Sequence, residues 1–163
     1  MSNLMKVTTI FLAIYLMVLT KEISAETPVR KCSNEAPLPL SVQVDNCSTM
    51  PCDLWKGSES QFTVQFVANR NEIMNLKTVV KFTTLGVEIP FVLEASKSDV
   101  CTNLLYGAYC PLYKDEDVTY HLVLPIENHH PEVPTKVEIS LIDHQDDNNM
   151  VSCFVVDAKF KSR

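Results

Sequence analysis

Apolar and polar residues alternate with period two along most of the chain beyond residue 39. Leu40, Val42 and Val44 alternate with Ser41 and Gln43, and Phe62, Val64 and Phe66 with Thr63 and Gln65. Val80 and Phe82 follow, then Val87, Ile89, Phe91 and Leu93 around Glu88 and Pro90. Val118, Tyr120, Leu122, Leu124 and Ile126 form a long series, with Val137, Ile139 and Leu141 after it and Val151, Cys153 and Val155 last. One apolar face per segment marks half-buried strands. About seven such segments predict an all-β fold, an immunoglobulin-like two-sheet sandwich. No stretch between them reads as a crossover helix, so pairing is expected to be mainly antiparallel. Pro90 and Pro125 fall inside strand-like runs. Proline cannot donate to a ladder, so these strands are expected at edges or bends. Bent edge strands let two sheets splay apart, which permits a cavity between them. Asp143 to Asn149 reads as a polar hairpin tip, and Lys114-Asp115-Glu116-Asp117 as a polar turn.

The first 25 residues follow a different pattern. Lys6 precedes an apolar-dominated run from Val7 to Leu19, and Ile23-Ser24-Ala25 resembles a signal-peptidase site. The run is short of the about 20 residues a bilayer needs. Residues 1–25 are therefore expected to be a signal peptide and residues 26–163 one domain. That assignment predicts a secreted, extracellular protein, with lysosomal delivery as the other destination. The formal net charge is −6. Removing the leader, with Lys6, Lys21 and Glu22, leaves −7. An acidic chain without a basic cluster is a poor fit to nucleic acid or an anionic membrane surface.

Six cysteines, Cys32, Cys47, Cys52, Cys101, Cys110 and Cys153, suit disulfides in a secreted chain. Paired C-x-x-C spacing for zinc is absent. Six cysteines allow fifteen connectivities, and spacing alone does not choose among them. Proximity in the unfolded chain favours 47–52 and 101–110 as local pairs.

Catalytic signatures are missing. The sequence holds no G-x-S-x-G, no H-E-x-x-H, no phosphate-cradling glycine loop and no dinucleotide fingerprint. His144 lies beside Asp143 and near Asp146 and Asp147, which reads better as a solvated hairpin tip than as a metal cluster. Thr119 and His121 fall on the face opposite Tyr120 and read as strand surface. With the cysteines paired, no thiol nucleophile remains. The expectation is a protein that is not an enzyme and uses no cofactor or metal. Asn46-Cys47-Ser48 is a glycosylation sequon, with its middle cysteine lowering the expected occupancy.

The stretch Cys47-Ser48-Thr49-Met50-Pro51-Cys52-Asp53-Leu54-Trp55-Lys56-Gly57 resembles the Cys-x4-Cys-x-Leu-x-Lys-Gly segment of Niemann-Pick type C-two-like proteins, soluble members of the MD-two-related lipid-recognition (ML) domain family. Gly86-Val87-Glu88-Ile89-Pro90-Phe91 resembles their Gly-Val-x-Val-Pro-Phe strand. Cys110-Pro111-Leu112-Tyr113-Lys114-Asp115 resembles their Cys-Pro-Ile-x-Lys-Asp turn, and Tyr120 with Leu124-Pro125-Ile126 their Tyr…Leu-Pro-Val strand. The order and number of cysteines match too.

The resemblance implies a seven-stranded immunoglobulin-like sandwich with an apolar cavity between its sheets, and the pairing Cys32–Cys153, Cys47–Cys52 and Cys101–Cys110. It implies carriage of one apolar ligand, without chemistry. A monomer that does not insert stably into membranes is expected. The family's pocket-lining positions fall on Val44, Phe62, Val80, Phe91, Ile126, His130, Pro131, Ile139 and Phe154. His130, beside His129, is expected near the cavity mouth, where a protonated ring would favour a carboxylate head as pH falls. Vertebrate cholesterol carriers have tryptophan where this chain has Ile139 and Phe154, tyrosine at His130 and proline at Glu88. Smaller side chains at the two tryptophan positions imply a different cavity shape. The chain is similar to divergent arthropod members, some of which are secreted carriers of fatty acids, sterols or semiochemicals. The alternatives are recognition of microbial lipid of the lipid A type, vertebrate-like intracellular cholesterol transport and a solid-cored adhesion module. Any receptor or transporter partner is left open.

Overall fold

The alternating segments become strands because each can bury one face. In β4 (Ser58–Val67), Phe62, Val64 and Phe66 are fully buried, whereas Gln61, Thr63 and Gln65 reach solvent. The computed structural model describes residues 26–146 and 149–162. The expected signal peptide lies outside the described residues, as does Asp147 of the hairpin tip.

Nine strands occur among the described residues. The remaining eight are β1 (Arg30–Lys31), β2 (Ser41–Val44), β3 (Cys52–Trp55), β5 (Leu76–Thr84), β6 (Val87–Phe91), β7 (Asp117–Ile126), β8 (Pro134–Asp143) and β9 (Asn149–Lys161). The only helical pieces described are α1 (Ala95–Ser98) and a 3-10 turn at Cys101–Asn103. Two sheets result. The larger runs β1-β9-β8-β5-β6 with β3 also on β9; the smaller runs β2-β4-β7. Two short strands exceed the seven that alternation predicts. β1 and β3 share the free edge of β9, opposite Phe154–Val155 and Ala158–Lys161. β3 pairs with β9 in parallel, the exception among the described strands, which otherwise pair antiparallel.

Pro90 lies in β6 and Pro125 in β7, each the terminal strand of its sheet. The edge expectation therefore holds for both. β5 and β6 are joined by Leu85-Gly86 alone, both with positive φ (51° and 81°). A two-residue hairpin loop of that hand matches strand twist, and glycine takes the conformation at no steric cost. Leu85 does so at a cost of roughly 1–2 kcal/mol, with its side chain in solvent.

The three disulfides are Cys32–Cys153, Cys47–Cys52 and Cys101–Cys110, with Cα separations of 5.8, 4.9 and 5.5 Å. The first ties the N-terminal segment over the outer face of β9. Cys153 and Val155 form a satellite cluster there with Cys32, while Phe154, Val156, Ala158 and Phe160 face the main core. The Val151, Cys153, Val155 series is thus not one inward face. A register shift opposite Leu141/Ile142 flips the phase, so Val151 and Phe154 share the core side.

Asp143 also departs from the solvated-tip reading. It ends the inward-facing series of β8 and is fully buried. Its carboxylate meets the Arg70 guanidinium, a contact of charge without hydrogen-bond geometry. Its other oxygen accepts from the Gln145 N–H at 3.0 Å. His144, one residue on, is exposed.

Candidate ligand-binding site

The register of the larger sheet aligns four of the expected lining residues in one row. Phe91 pairs with Val80, Val80 with Ile139, and Ile139 with Phe154. The row crosses β6, β5, β8 and β9 at one level, on the face turned to the smaller sheet. There, Val44 pairs with Phe62 and Phe62 with Leu122. Ile126 lies further along β7, opposite Ser58. Val44, Phe62, Val80, Ile126, Ile139 and Phe154 are all buried in one cluster, with the half-buried Phe91 packed against it. The adjacent row, Ile89, Phe82, Val137 and Val156, is also apolar. The structure therefore brings together seven of the nine expected residues in an interlayer that side chains fill. A depression of about 490 Å³ lies elsewhere, between the Leu85-Gly86 tip, the Met50-Pro51 loop and the ends of β8 and β9.

One polar contact joins the sheets inside this layer. The Thr78 hydroxyl on β5 meets the Tyr120 hydroxyl on β7 with both residues buried. Burial pushes the Tyr120 phenol well above its ordinary pKa, so it stays protonated.

The end of the layer away from this pair is closed by rings. Phe82 sits edge-on to Phe91 (5.3 Å), His130 (5.0 Å) and Phe160 (5.4 Å), and His130 stacks on Phe160 at 4.4 Å with an angle of 11°. The His130 ring comes from the β7–β8 connection. That loop packs close to the β3–β4 turn, where a Cβ on Gly57 would come within 2.8 Å of the Asn128 carboxamide oxygen. Glycine at 57 makes the approach possible, and its N–H donates to the Ile126 carbonyl at 2.7 Å.

His130 is the eighth expected residue, and its setting differs from a solvated mouth. Only 8% of it is exposed, and its buried Nε2 has no hydrogen-bond partner. Burial first, then the charges of His129 and Lys56, push its pKa below the ordinary histidine value, while Glu127 opposes them. The environment thus resists the protonated ring that the sequence suggested. The ninth residue, Pro131, is exposed beside it and stands outside the apolar layer.

The sequence profile of the ML domain matches residues 26–160. The chain belongs to the ML-domain family. Pig (Sus scrofa) NPC intracellular cholesterol transporter 2 is 33% identical over 156 residues, spanning 93% of this chain and 99% of that protein. NPC intracellular cholesterol transporter 2 homolog a of Drosophila melanogaster is 32% identical over 132 residues, 80% of this chain and 84% of the relative. The crystal structure of a Niemann-Pick type C2 protein from Japanese carpenter ant shares the fold. Its TM-score is 0.69 at 21% identity, covering 82% of this chain and 99% of that one.

Phe82 follows the β5 alternation, but Phe160 is out of phase with the Val151, Cys153 and Val155 series, and nothing local shows that the β7–β8 loop folds back onto both rings of this ML domain. No helix among the described residues is long and apolar enough to cross a membrane. Asn46 of the sequon is exposed, at the end of β2 with φ 60°.

Proposed function

We propose that this ML domain is a carrier that holds one hydrophobic ligand between its two sheets, without chemistry. The ligand is a fatty acid, a sterol or a similar semiochemical, and the protein acts as a secreted monomer. The observation that carries this reading is the apolar layer: two facing rows, Phe91–Val80–Ile139–Phe154 and Val44–Phe62–Leu122, closed at one end by rings rather than by charges or a disulfide. Burying an acyl chain there is favourable by roughly 0.8 kcal/mol per methylene before the costs of association. The ligand has to displace ring-to-ring contacts at the closed end to enter. Its polar head stays at that end, because burying it unpaired is costly. The unpartnered Nε2 of His130 supports a head group there that exchanges a hydrogen bond with it.

Sterol-selective, vertebrate-like intracellular cholesterol transport is the second reading, supported by the names of the relatives, which are cholesterol transporters. The test is displacement of a fluorescent apolar probe from delipidated, disulfide-bonded protein by fatty acids, sterols, hydrocarbons and lipid A. Displacement by chain-like ligands, with cholesterol weak, is the expected result. Selective displacement by sterols replaces the first reading with the second, and selective displacement by lipid A points to microbial-lipid recognition. Absence of probe binding overturns the carrier function.

A further inference from the structure

The loop that closes the aromatic end carries a second set of donors. Glu127, His129 and His130 each bring one ligating atom into a group whose members lie within 4.8 Å of one another. Glu127 and His129 are exposed, and the Glu127 Oε2 and His129 Nδ1 are already 3.0 Å apart. An exposed glutamate–histidine contact alone would need no ion. The third member is what changes the arrangement. His130 is more than nine-tenths buried, its ring stacks on Phe160 and meets Phe82 edge-on, and its Nε2 has no partner. Packing thus fixes the ring while its Nε2 stays unpaired.

We propose that Glu127, His129 and His130 form a binding site for a divalent transition-metal ion of the zinc type. Two imidazoles and one carboxylate are the donor set that borderline ions such as zinc take, with a fourth position left for water. Metal–donor distances of about 2.0–2.2 Å place tetrahedral donors roughly 3.3–3.5 Å apart. The 3.0 Å Glu127–His129 contact is already near that spacing, and from within 4.8 Å His130 needs to approach by roughly 1.5 Å at most. Of the charges around the loop, Lys56 opposes a cation, and its ammonium is paired with Glu132 at 3.1 Å. A bound ion joins the exposed part of the β7–β8 loop to the buried ring that packs on Phe160.

The test is calorimetric titration of zinc chloride into tag-free, chelator-treated full-length mature protein. One ion per chain is expected. His129→Ala and Glu127→Gln should each weaken binding at least tenfold. Both positions are exposed, so the fold is retained, as an unchanged unfolding midpoint in metal-free buffer would show. His144→Ala, in the exposed β8–β9 turn, should leave affinity unchanged. Sub-stoichiometric binding, or binding that survives both His129→Ala and Glu127→Gln, overturns the site. The titration uses delipidated protein, because a lipid head group at His130 would compete with the ion, and its readout is the ion itself rather than any lipid.

Discussion

Phe82→Ala tests whether the aromatic end is packed as a unit. Phe82 is 1% exposed and touches three rings. Truncating a core phenylalanine costs about 3–5 kcal/mol, with the spread set by how far the surroundings collapse. Two edge-to-face phenylalanine partners at 5.3 and 5.4 Å contribute roughly 0.5–1.5 kcal/mol each beyond burial, which argues for the upper half. Phe91 argues against it, because it is half-buried on an edge strand and can lean into the void. The expected loss is about 3–4 kcal/mol, or roughly 6–16 °C in melting temperature for a domain of this size. Equilibrium urea unfolding with disulfides intact measures it, and the m-value should not change. The protein must be delipidated, because ligand at a hundred times its Kd adds about 2.7 kcal/mol and would mask the effect. Val92→Ala, on a side chain 89% exposed, serves as the control and should stay within about 0.5 kcal/mol. A Phe82→Ala loss below about 1.5 kcal/mol at unchanged m would refute the packed seal.

Thr78→Val leaves the buried Tyr120 hydroxyl without its partner and should cost about 1–3 kcal/mol. Adding Tyr120→Phe should recover part of that loss, and strict additivity in the double-mutant cycle would show that the two hydroxyls do not interact. Asp99 sits at the end of α1. Burial raises its pKa, but the Lys77 ammonium at 2.6 Å and the Thr102 N–H outweigh burial and hold it below the ordinary carboxylate value. The unfolded chain therefore takes up this proton first as pH falls. The contribution is complete above the unfolded value near 4 and is lost progressively as pH falls from there through the lower folded value. Asp99→Asn should flatten that part of the stability–pH curve, and an unchanged acid limb would contradict the pairing.

Much of this architecture was legible because period two is a local property. Phe62, Val64 and Phe66, or Leu122 and Leu124, declare their face within a few residues, and Pro90 and Pro125 declare edges by lacking a donor. The row Phe91–Val80–Ile139–Phe154 draws on four strands far apart in sequence, and it was reached through the family resemblance. What was missed depends on contacts between distant segments. β3 has only four residues and exists because β9 offers it a parallel edge. The phase of β9 turns on a register shift against β8, so Cys153 and Val155 face away from the layer. Asp143 is tolerated on an inward face because Arg70 arrives from another loop. His130 was expected at a solvated mouth, but it is buried by a stacking partner thirty residues away.

Pro90 and Pro125 also bear on how molecules of this chain meet one another. A sandwich of two separate sheets has four free margins, each a row of unpaired backbone groups that another chain could extend. Here the margins formed by β6 and β7 each contain a proline, and strand prolines sit with their missing donor toward solvent. The other two are covered by strands of only two to four residues, β1, β3 and β2. The β7 margin ahead of Pro125 is in turn partly covered, because Leu104 bridges to Tyr120 and the Leu105 N–H donates to the Thr119 carbonyl at 2.8 Å. The exposed Val87 and Ile89 lie on the margin that Pro90 interrupts. Sheet-edge polymerisation is therefore discouraged by backbone chemistry, and the side chains that face the apolar layer need not be altered to prevent it.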